Sequence, residues 1–509
     1  MPARTGEGYL SDLNSSSRDI RVHGEQVVTG TADHPAFRGV ARAYAALYDL
    51  QHDPLYQDRL TYRSPTSGER VGFSFLQPHT EAELRKRATG TKLWSDCSFG
   101  MLGRTGDYLN AALMALASAR PWFGAVDKRF GENIQAYYEH VRENDLLLTH
   151  TLINPQANRA VGPAAQRDPY QAAVIVDRNQ EGILLRGARM LATIGPIADE
   201  ILVLPSTVLQ ARPEDEDYAY AFAIPCDSKG LRFLCRESLD YGRSHFDHPL
   251  GSRFDEMDAV AIFDDVRVPW DRCFMVGHPE LLTRGRLYND TGAIVHMTHQ
   301  VVLKDLAKTE FLIGLVGLIC DSIGIERFEH VQEKIAELIN ARELLLAVLR
   351  AAEADAAPNQ WGILTPAWNP LNTARNWFPR VYPRLKQIVW QLAASGLFGL
   401  PTEADTLGET GQEVDRYLQS ATQDGIERVK LFRLAWDASA SAFASRQEVY
   451  EFFFFGDPVR MSQVMVGGYD RSPLKARVQA FLDETGAIAR PEDEIAGGRA
   501  AVKAGTAQS

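Results

Sequence analysis

The sequence predicts an α+β chain of three parts: an N-terminal α-helical domain (1–148), a middle antiparallel β-barrel or sandwich (149–286), and a C-terminal helical bundle with a frayed tail (287–509). Three observations predict it. Apolar residues recur at three and four through the first part, short strand-like runs with regular turns fill the second, and long stretches of helical period return in the third.

In the first part, Phe37, Val40, Ala41, Tyr44, Ala45 and Tyr48 mark one face of an amphipathic helix, and the pattern continues to about Asn144. Thr80 followed by Glu83 is a capping box for a helix running toward Ser98, and Pro121 breaks the helical run after Tyr108. Arg104 and Tyr108 therefore stand near a helix start. In the middle part, AAVIVD, GILLRGARMLAT, EILVLPS, AYAFAIP, LRFLC and AVAIFDDVRVP read as strands, separated by turn signals such as DRNQEG, DSKG and HPLGS. The flanking helical parts should cover the sheet edges. In the last part, helices are expected over Val301 to Ile325, Phe328 to Ala352, Pro383 to Leu397 and Gln423 to Phe455. The Pro-, Trp- and Asn-rich stretch Ala356 to Asn372 reads as a connecting loop, and the last fifteen or so residues as frayed.

Composition bounds the function classes. With 509 residues, 45% hydrophobic and 24% charged, the chain can form a sizeable core. A formal net charge of −12 argues against a general phosphate-backbone binder, so nucleic acid is not an expected partner. Five widely spaced cysteines, at 97, 226, 235, 273 and 320, form no CxxC pair and fit a reducing cytoplasm. The N-terminus lacks a basic-then-apolar signal pattern, and the most apolar helical run, Phe311 to Cys320, is bounded by Glu310 and Asp321 and is short of the roughly 20 residues of a bilayer span. No P-loop or GxGxxG fingerprint is present. HFDH (245–248) and HMTH (296–299) are possible metal pairs without a companion cluster, and the E-x-x-H pairs of di-iron bundles are missing, so no metal is expected.

Three polar clusters punctuate the apolar chain: GRTGDY with Arg104 and Tyr108, LLTHTLINPQANR with His150, and GARMLATIG with Thr193. Together with RTGEGYL, ADHPAFRGVARAYAALYDLQHDP, HPLGSRFDEMDAVAIFDDVRVPWDR, RLKQIVWQLAASGLFGLP and RQEVYEFFFFGDPVRM, these segments resemble a known family in order and over nearly the whole chain. The family is the large oxygenase component of the two-component, reduced-flavin-dependent phenol hydroxylases, typified by 4-hydroxyphenylacetate 3-monooxygenase and including the chlorophenol monooxygenases.

The resemblance implies an acyl-CoA dehydrogenase-like fold, oligomerisation as a dimer of dimers, and a separate reductase that supplies FADH2. It implies ortho-hydroxylation of a phenol to a catechol by O2 through a flavin C4a-hydroperoxide. By the same resemblance Arg104, Tyr108 and His150 surround the substrate hydroxyl, with His150 as catalytic base. A cation beside a phenol lowers its pKa from about 10 by roughly 1–3. The family positions for the flavin are His150, Thr151, Leu152, Gln156, Ala157, Asn158 and Arg159, with Thr193 toward the N5 side. Gln391 and Ser395 lie on one helical face, with Gly396 allowing close backbone approach; by the resemblance this segment matches one that contacts the nucleotide end of FAD across a subunit interface, and Gly456, Asp457, Pro458 and Val459 match a flavin-contacting turn. Ser206 and Thr207 match a loop over the substrate. The phenol is left open among 4-hydroxyphenylacetate, a halogenated phenol and a tyrosine-like group held on a carrier protein. An acyl-CoA dehydrogenase-like oxidoreductase, which would need a catalytic carboxylate, and a non-catalytic helical scaffold are the alternatives.

Overall fold

Thr80 and Glu83 form the expected capping box at the start of helix Glu81–Cys97: the threonine hydroxyl accepts from the Glu83 amide at 3.2 Å, and the glutamate accepts from the Thr80 amide at 3.0 Å. Helix Gly106–Ser118 follows, and its residues from Gly106 to Ala117 are all buried. A helix apolar on every side belongs inside a core. It packs against Ala293–Ile323, a 31-residue helix that also packs on helices Glu81–Cys97, Glu329–Ala354 and Trp368–Ala393.

The computed structural model describes residues 3–155 and 157–485, and the chain divides into two units, Met1–Phe454 and Phe455–Ser509. Within the first unit the strands form two main sheets. One runs in the order Glu25–Val27, Asp19–Val22, Leu231–Cys235, Ala259–Pro269, Gly182–Arg189, Val174–Asn179; the other runs Cys273–Val276, Tyr220–Pro225, Glu200–Val203, Leu148–Thr151. Side chains cross between them, as where the Phe222 and Phe263 rings meet at 6.3 Å. The expected sandwich is therefore present, but not purely antiparallel. Asp19–Val22 pairs parallel with Leu231–Cys235, and Leu148–Thr151 pairs parallel with Glu200–Val203.

Three expectations need correction. Strands Asp19–Val22 and Glu25–Val27 come from the N-terminal part read as helical, and they extend the larger sheet. The helix expected from Pro383 begins at Trp368 and ends at Ala393, so only the first part of the 356–372 stretch is a connection. Pro379 and Pro383 lie inside this helix, whose buried stripe of Leu371, Ala374, Phe378, Tyr382, Leu385, Ile388 and Leu392 is packed firmly enough to carry it through both prolines. The single helix expected from Gln423 is two, Gly425–Ser439 and Ala442–Phe453, because Ser441 caps a new start by accepting from the Ala444 amide at 3.1 Å.

In the second unit, Asp457 caps helix Pro458–Gly468 by accepting from the Val459 and Arg460 amides, and a second helix runs Ser472–Thr485. The tail expected to fray and Gln156 lie outside the described residues.

Candidate active site

The start of helix Gly106–Ser118 places Tyr108 in its first turn and Arg104 just ahead of it. The Arg104 amide donates to Glu256 Oε1 at 2.7 Å, which fixes the backbone while leaving the guanidinium free to turn inward. There it lies over three aromatic rings, 4.2 Å from the centroid of Phe454, 4.4 Å from Tyr108 and 5.6 Å from Tyr450. Its Nε and Nη1 are buried without a hydrogen-bond partner. A guanidinium stays protonated in a protein, and although Tyr108 engages this one, its two unsatisfied donors remain to be offered to an anion.

His150 completes the cluster from strand Leu148–Thr151. Its ring lies 5.8 Å from the Tyr108 ring and its side chain is buried. Burial, and next the positive charge of Arg104, hold the imidazole well below its ordinary pKa, so it is neutral at neutral pH and has a lone pair to offer a proton donor. The sequence-predicted trio of Arg104, Tyr108 and His150 is thus brought together. Residues 206 and 207 follow strand Glu200–Val203, whose Leu202 is the register partner of His150. The loop is tied down by Tyr288, which donates to the Pro205 carbonyl at 3.1 Å, and by Thr283, which donates to the Leu209 carbonyl at 2.7 Å.

Thr193 lies beside the same strand, with its carbonyl accepting from Thr149 Oγ1 at 2.6 Å. Leu191 and Ile194, on either side, both have φ of 63°. That left-handed conformation is rare for a β-branched residue and marks a held, strained turn. The Thr193 hydroxyl donates to Asp258 Oδ1 at 2.8 Å, and Asp258 also accepts from Arg446 Nε at 3.0 Å, Arg446 Nη2 at 2.8 Å and Arg236 Nε at 3.0 Å. Burial alone would raise this carboxyl; Arg446 and Arg236 outweigh it and hold the group well below the usual carboxylate range.

The turn after His150 has its own anchors. Thr151 spends its hydroxyl on the Met190 carbonyl at 2.7 Å, and its own carbonyl accepts from the Leu204 amide at 3.0 Å. Asn154 Oδ1 is buried with no hydrogen-bond partner. Ala157, Asn158 and Arg159 are exposed, and Asn158 is held by Gln166, which donates to its carbonyl at 2.8 Å. The C-terminal candidates depart from expectation. Gln391 is inside the helix and accepts from Arg384 at 3.1 Å, but the helix ends at Ala393, and Ala394 turns to φ 49°, so Ser395 does not continue the helical face. A Cβ on Gly396 would come within 2.5 Å of the Phe432 ring, so its close approach is to that ring. Gly456, Asp457, Pro458 and Val459 form the capped start of the first helix of the second unit. The two histidine pairs are engaged elsewhere: His296 with Arg87 and His299 with Glu353, His245 with Ser252 and His248 near Asp437.

Five residues of this centre were not assigned roles from sequence: Glu256, Asp258, Arg446, Tyr450 and Phe454. A signal existed, because Arg446, Tyr450 and Phe454 are spaced by four and share one face of helix Ala442–Phe453 and its C-terminal residue. Glu256 is fully buried, accepts from Tyr44 Oη at 3.0 Å and from the Arg104 amide, and sits 3.7 Å from Arg446 Nη1. Beyond Tyr450 lies a second buried charge cluster, in which Glu451 accepts from Lys304 at 2.6 Å and from Lys308.

Comparison with known proteins finds relatives over nearly the whole chain. The family model described as 4-hydroxyphenylacetate 3-hydroxylase N terminal matches residues 5–275, and the one described as 4-hydroxyphenylacetate 3-hydroxylase C terminal matches 284–483. The 4-hydroxyphenylacetate 3-monooxygenase oxygenase component of Geobacillus sp. (strain PA-9) is 48% identical over 97% of this chain and 99% of its own length. The oxygenase component of the same name from Thermus thermophilus is 49% identical over 95% of this chain and 98% of its own. Among solved structures, an oxygenase component of 4-hydroxyphenylacetate 3-monooxygenase complexed with FAD and 4-hydroxyphenylacetate superposes with a TM-score of 0.90 at 48% identity, covering 95% of this chain and 99% of that one.

Proposed function

Because the chain belongs to the 4-hydroxyphenylacetate 3-hydroxylase family, we propose that it is the oxygenase component of a two-component monooxygenase acting on free 4-hydroxyphenylacetate. It is an FAD-dependent aromatic monooxygenase that hydroxylates a phenol ortho to its hydroxyl group, with reduced flavin supplied by a separate reductase. The single observation that carries the residue assignment is Arg104: a buried guanidinium with Nε and Nη1 unpartnered, set over aromatic faces beside a neutral histidine.

FAD fits the residues around it. The strained turn at Thr193, the main chain of His150 to Leu152 and the unpartnered Asn154 Oδ1 offer a polar edge for a flavin ring with its own N–H and C=O groups. When bound, reduced FAD would supply the two electrons that activate O2, one atom of which enters the aromatic ring while the other leaves as water. The protein supplies the rest. Arg104 binds the phenolic oxygen and favours the phenolate, which makes the ring carbon ortho to it electron-rich. His150, neutral and buried, takes the phenolic proton. Tyr108 packs beside both, and the tethered loop at Ser206 and Thr207 covers the substrate and keeps water out.

Ala157, Asn158 and Arg159, with Gln156, would extend the flavin contact along the same turn. Gln391, Ser395 and Gly396 would meet the nucleotide end across a subunit interface of a homotetramer, which accords with the exposure of Ser395. Separately, residues 456–459 would form a flavin-contacting turn. The five cysteines are free, as a reducing cytoplasm would keep them, and no helix among the described residues is long and apolar enough to cross a membrane.

The alternative dehydrogenase chemistry needs a free carboxylate, yet Glu256 is committed to Tyr44, the Arg104 amide and Arg446. The test is to supply the protein with FAD, NADH and an unrelated flavin reductase under ¹⁸O2, offering free 4-hydroxyphenylacetate, halophenols and carrier-bound tyrosine. A labelled catechol from 4-hydroxyphenylacetate is expected. Catechol only from the carrier-bound substrate would overturn the choice of substrate, and peroxide alone from every phenol would overturn the reaction.

A further inference from the structure

We infer that Asp258 fixes the polarity of the Thr193 hydroxyl, so that Thr193 accepts from the N5–H of reduced flavin and does not donate to the bare N5 of oxidised flavin, giving the site its preference for FADH2. The inference rests on the reading above that Thr193 faces the N5 side of the ring, and deepens it.

A hydroxyl has one proton and two lone pairs, and which of them a ligand meets depends on where the proton is spent. Flavin N5 changes character with redox state. In the oxidised ring it is an acceptor with no hydrogen, and in the reduced ring it carries one. A freely turning threonine would serve either form.

Thr193 is not free to turn. Its Oγ1 lies 2.8 Å from Asp258 Oδ1, and the threonine must be the donor, because Asp258 is a carboxylate surrounded by donors. Arg446 binds it through two nitrogens, to Oδ1 at 2.8 Å and to Oδ2 at 3.0 Å, and Arg236 binds Oδ2 at 3.0 Å. Two guanidiniums around a nearly buried carboxylate exclude its protonated form over the working range of pH, as the depressed pKa of the group also indicates.

The backbone around the pair is equally fixed. The Ala192 amide donates to the Ala259 carbonyl and the Ile194 amide to the Met257 carbonyl, both at 2.8 Å, so the Thr193 and Asp258 segments are stitched together on both sides. Thr149 Oγ1 holds the Thr193 carbonyl from the opposite direction. What remains of the hydroxyl is its lone pairs. Asp258 is thus a positioning residue that acts through Thr193, and Arg446 and Arg236 are what keep it charged.

The test compares the affinities of FADH2 and FAD, measured anaerobically by equilibrium binding to the whole protein, without turnover. The wild type should favour FADH2, and that preference should shrink by about tenfold, the worth of one well-placed hydrogen bond, in both Thr193→Val and Asp258→Asn. Thr193→Ser should keep it. Asp258→Asn inserts a neutral group between two guanidiniums and can fail to fold, so a ligand-side comparison on the wild type stands beside it. In 5-deaza-FAD a C–H replaces N5. Reduced 5-deaza-FAD should bind about tenfold more weakly than FADH2, while oxidised 5-deaza-FAD and FAD should bind alike.

A preference that survives Asp258→Asn but not Thr193→Val would overturn the role of Asp258. Tighter binding of oxidised FAD than of oxidised 5-deaza-FAD would show Thr193 donating, and would overturn the polarity. A preference untouched by Thr193→Val would overturn the placement of Thr193 at the flavin, and this inference with it.

Discussion

Arg104 and Arg446 share the Tyr450 ring, with guanidinium carbons 5.6 and 4.3 Å from its centroid, yet their surroundings are opposite. Arg446 spends Nε and Nη2 on Asp258 and brings Nη1 to 3.7 Å from Glu256. Arg104 has aromatic faces around it and leaves Nε and Nη1 without partners. Glu256 stands between the two, yet it takes the backbone amide of Arg104 and leaves that side chain unpaired. The difference separates two uses of buried charge. A paired cation holds the fold and sets the orientation of its neighbours; an unpaired one is kept for an anion that arrives later.

The sharpest way to break that comparison is to truncate both cations. Arg446→Met should destabilise by about 3 kcal/mol, because it leaves the largely covered Asp258 charge to Arg236 and the Thr193 hydroxyl and takes the nearby cation from the fully buried Glu256. The loss should appear as a lowered thermal midpoint. Arg104→Met should lower the midpoint far less, since what it loses is contact with Tyr108 and the other aromatic faces and not an ion pair, while kcat/KM for a phenol falls by about 100- to 1000-fold. Equal destabilisation by the two substitutions would erase the distinction.

His150→Gln comes next, with a fall in turnover of at least about 100-fold. It also carries a pH signature. The folded-state pKa of His150 lies well below the unfolded value of about 6.5, so an unfolded chain binds a proton there that the folded one does not. The stabilisation from keeping His150 neutral is complete above about 6.5 and is lost as the pH falls below it toward the folded pKa. The glutamine variant should therefore show a shallower loss of stability with acid, read from midpoints measured between about pH 5 and 7. An unchanged slope would mean that His150 is not held neutral. His296, likewise buried and held low by burial and then Arg87, should keep the remaining slope in place.

The smallest effect is expected far from the site. Thr80→Ala removes one half of the capping box of helix Glu81–Cys97 and should cost about 1 kcal/mol with no change in turnover. A change in kcat would show that this helix end is coupled to the centre.

Much of the centre was legible in the sequence, for physical reasons that differ by residue. The segments of Arg104, Tyr108, His150 and Thr193 stand out because polar groups interrupt apolar stretches at element boundaries, and the resemblance to the family assigned their roles. Glu256, Asp258 and Arg446 did not stand out, because their meaning depends on a meeting across the fold: Asp258 and Arg446 are separated by 188 positions in the chain. The helical, β and helical order was readable from period alone. The strand Asp19–Val22 was not, since four residues give no period to read and the strand exists because Leu231–Cys235 offers it an edge. Pro383 suggested a helix start where tertiary packing carries the helix through, and the end at Ala393 was hidden because QLAASG is a good helical sequence by composition.

The most direct test of the account is the titration of a chromogenic phenol such as 4-nitrophenol bound to the protein, with FADH2 present and oxygen excluded, followed by phenolate absorbance. The account predicts that the bound phenol ionises about 1–3 pH below the free one, and that Arg104→Met returns it to the free value. The same titration curve for the wild type and Arg104→Met would contradict it.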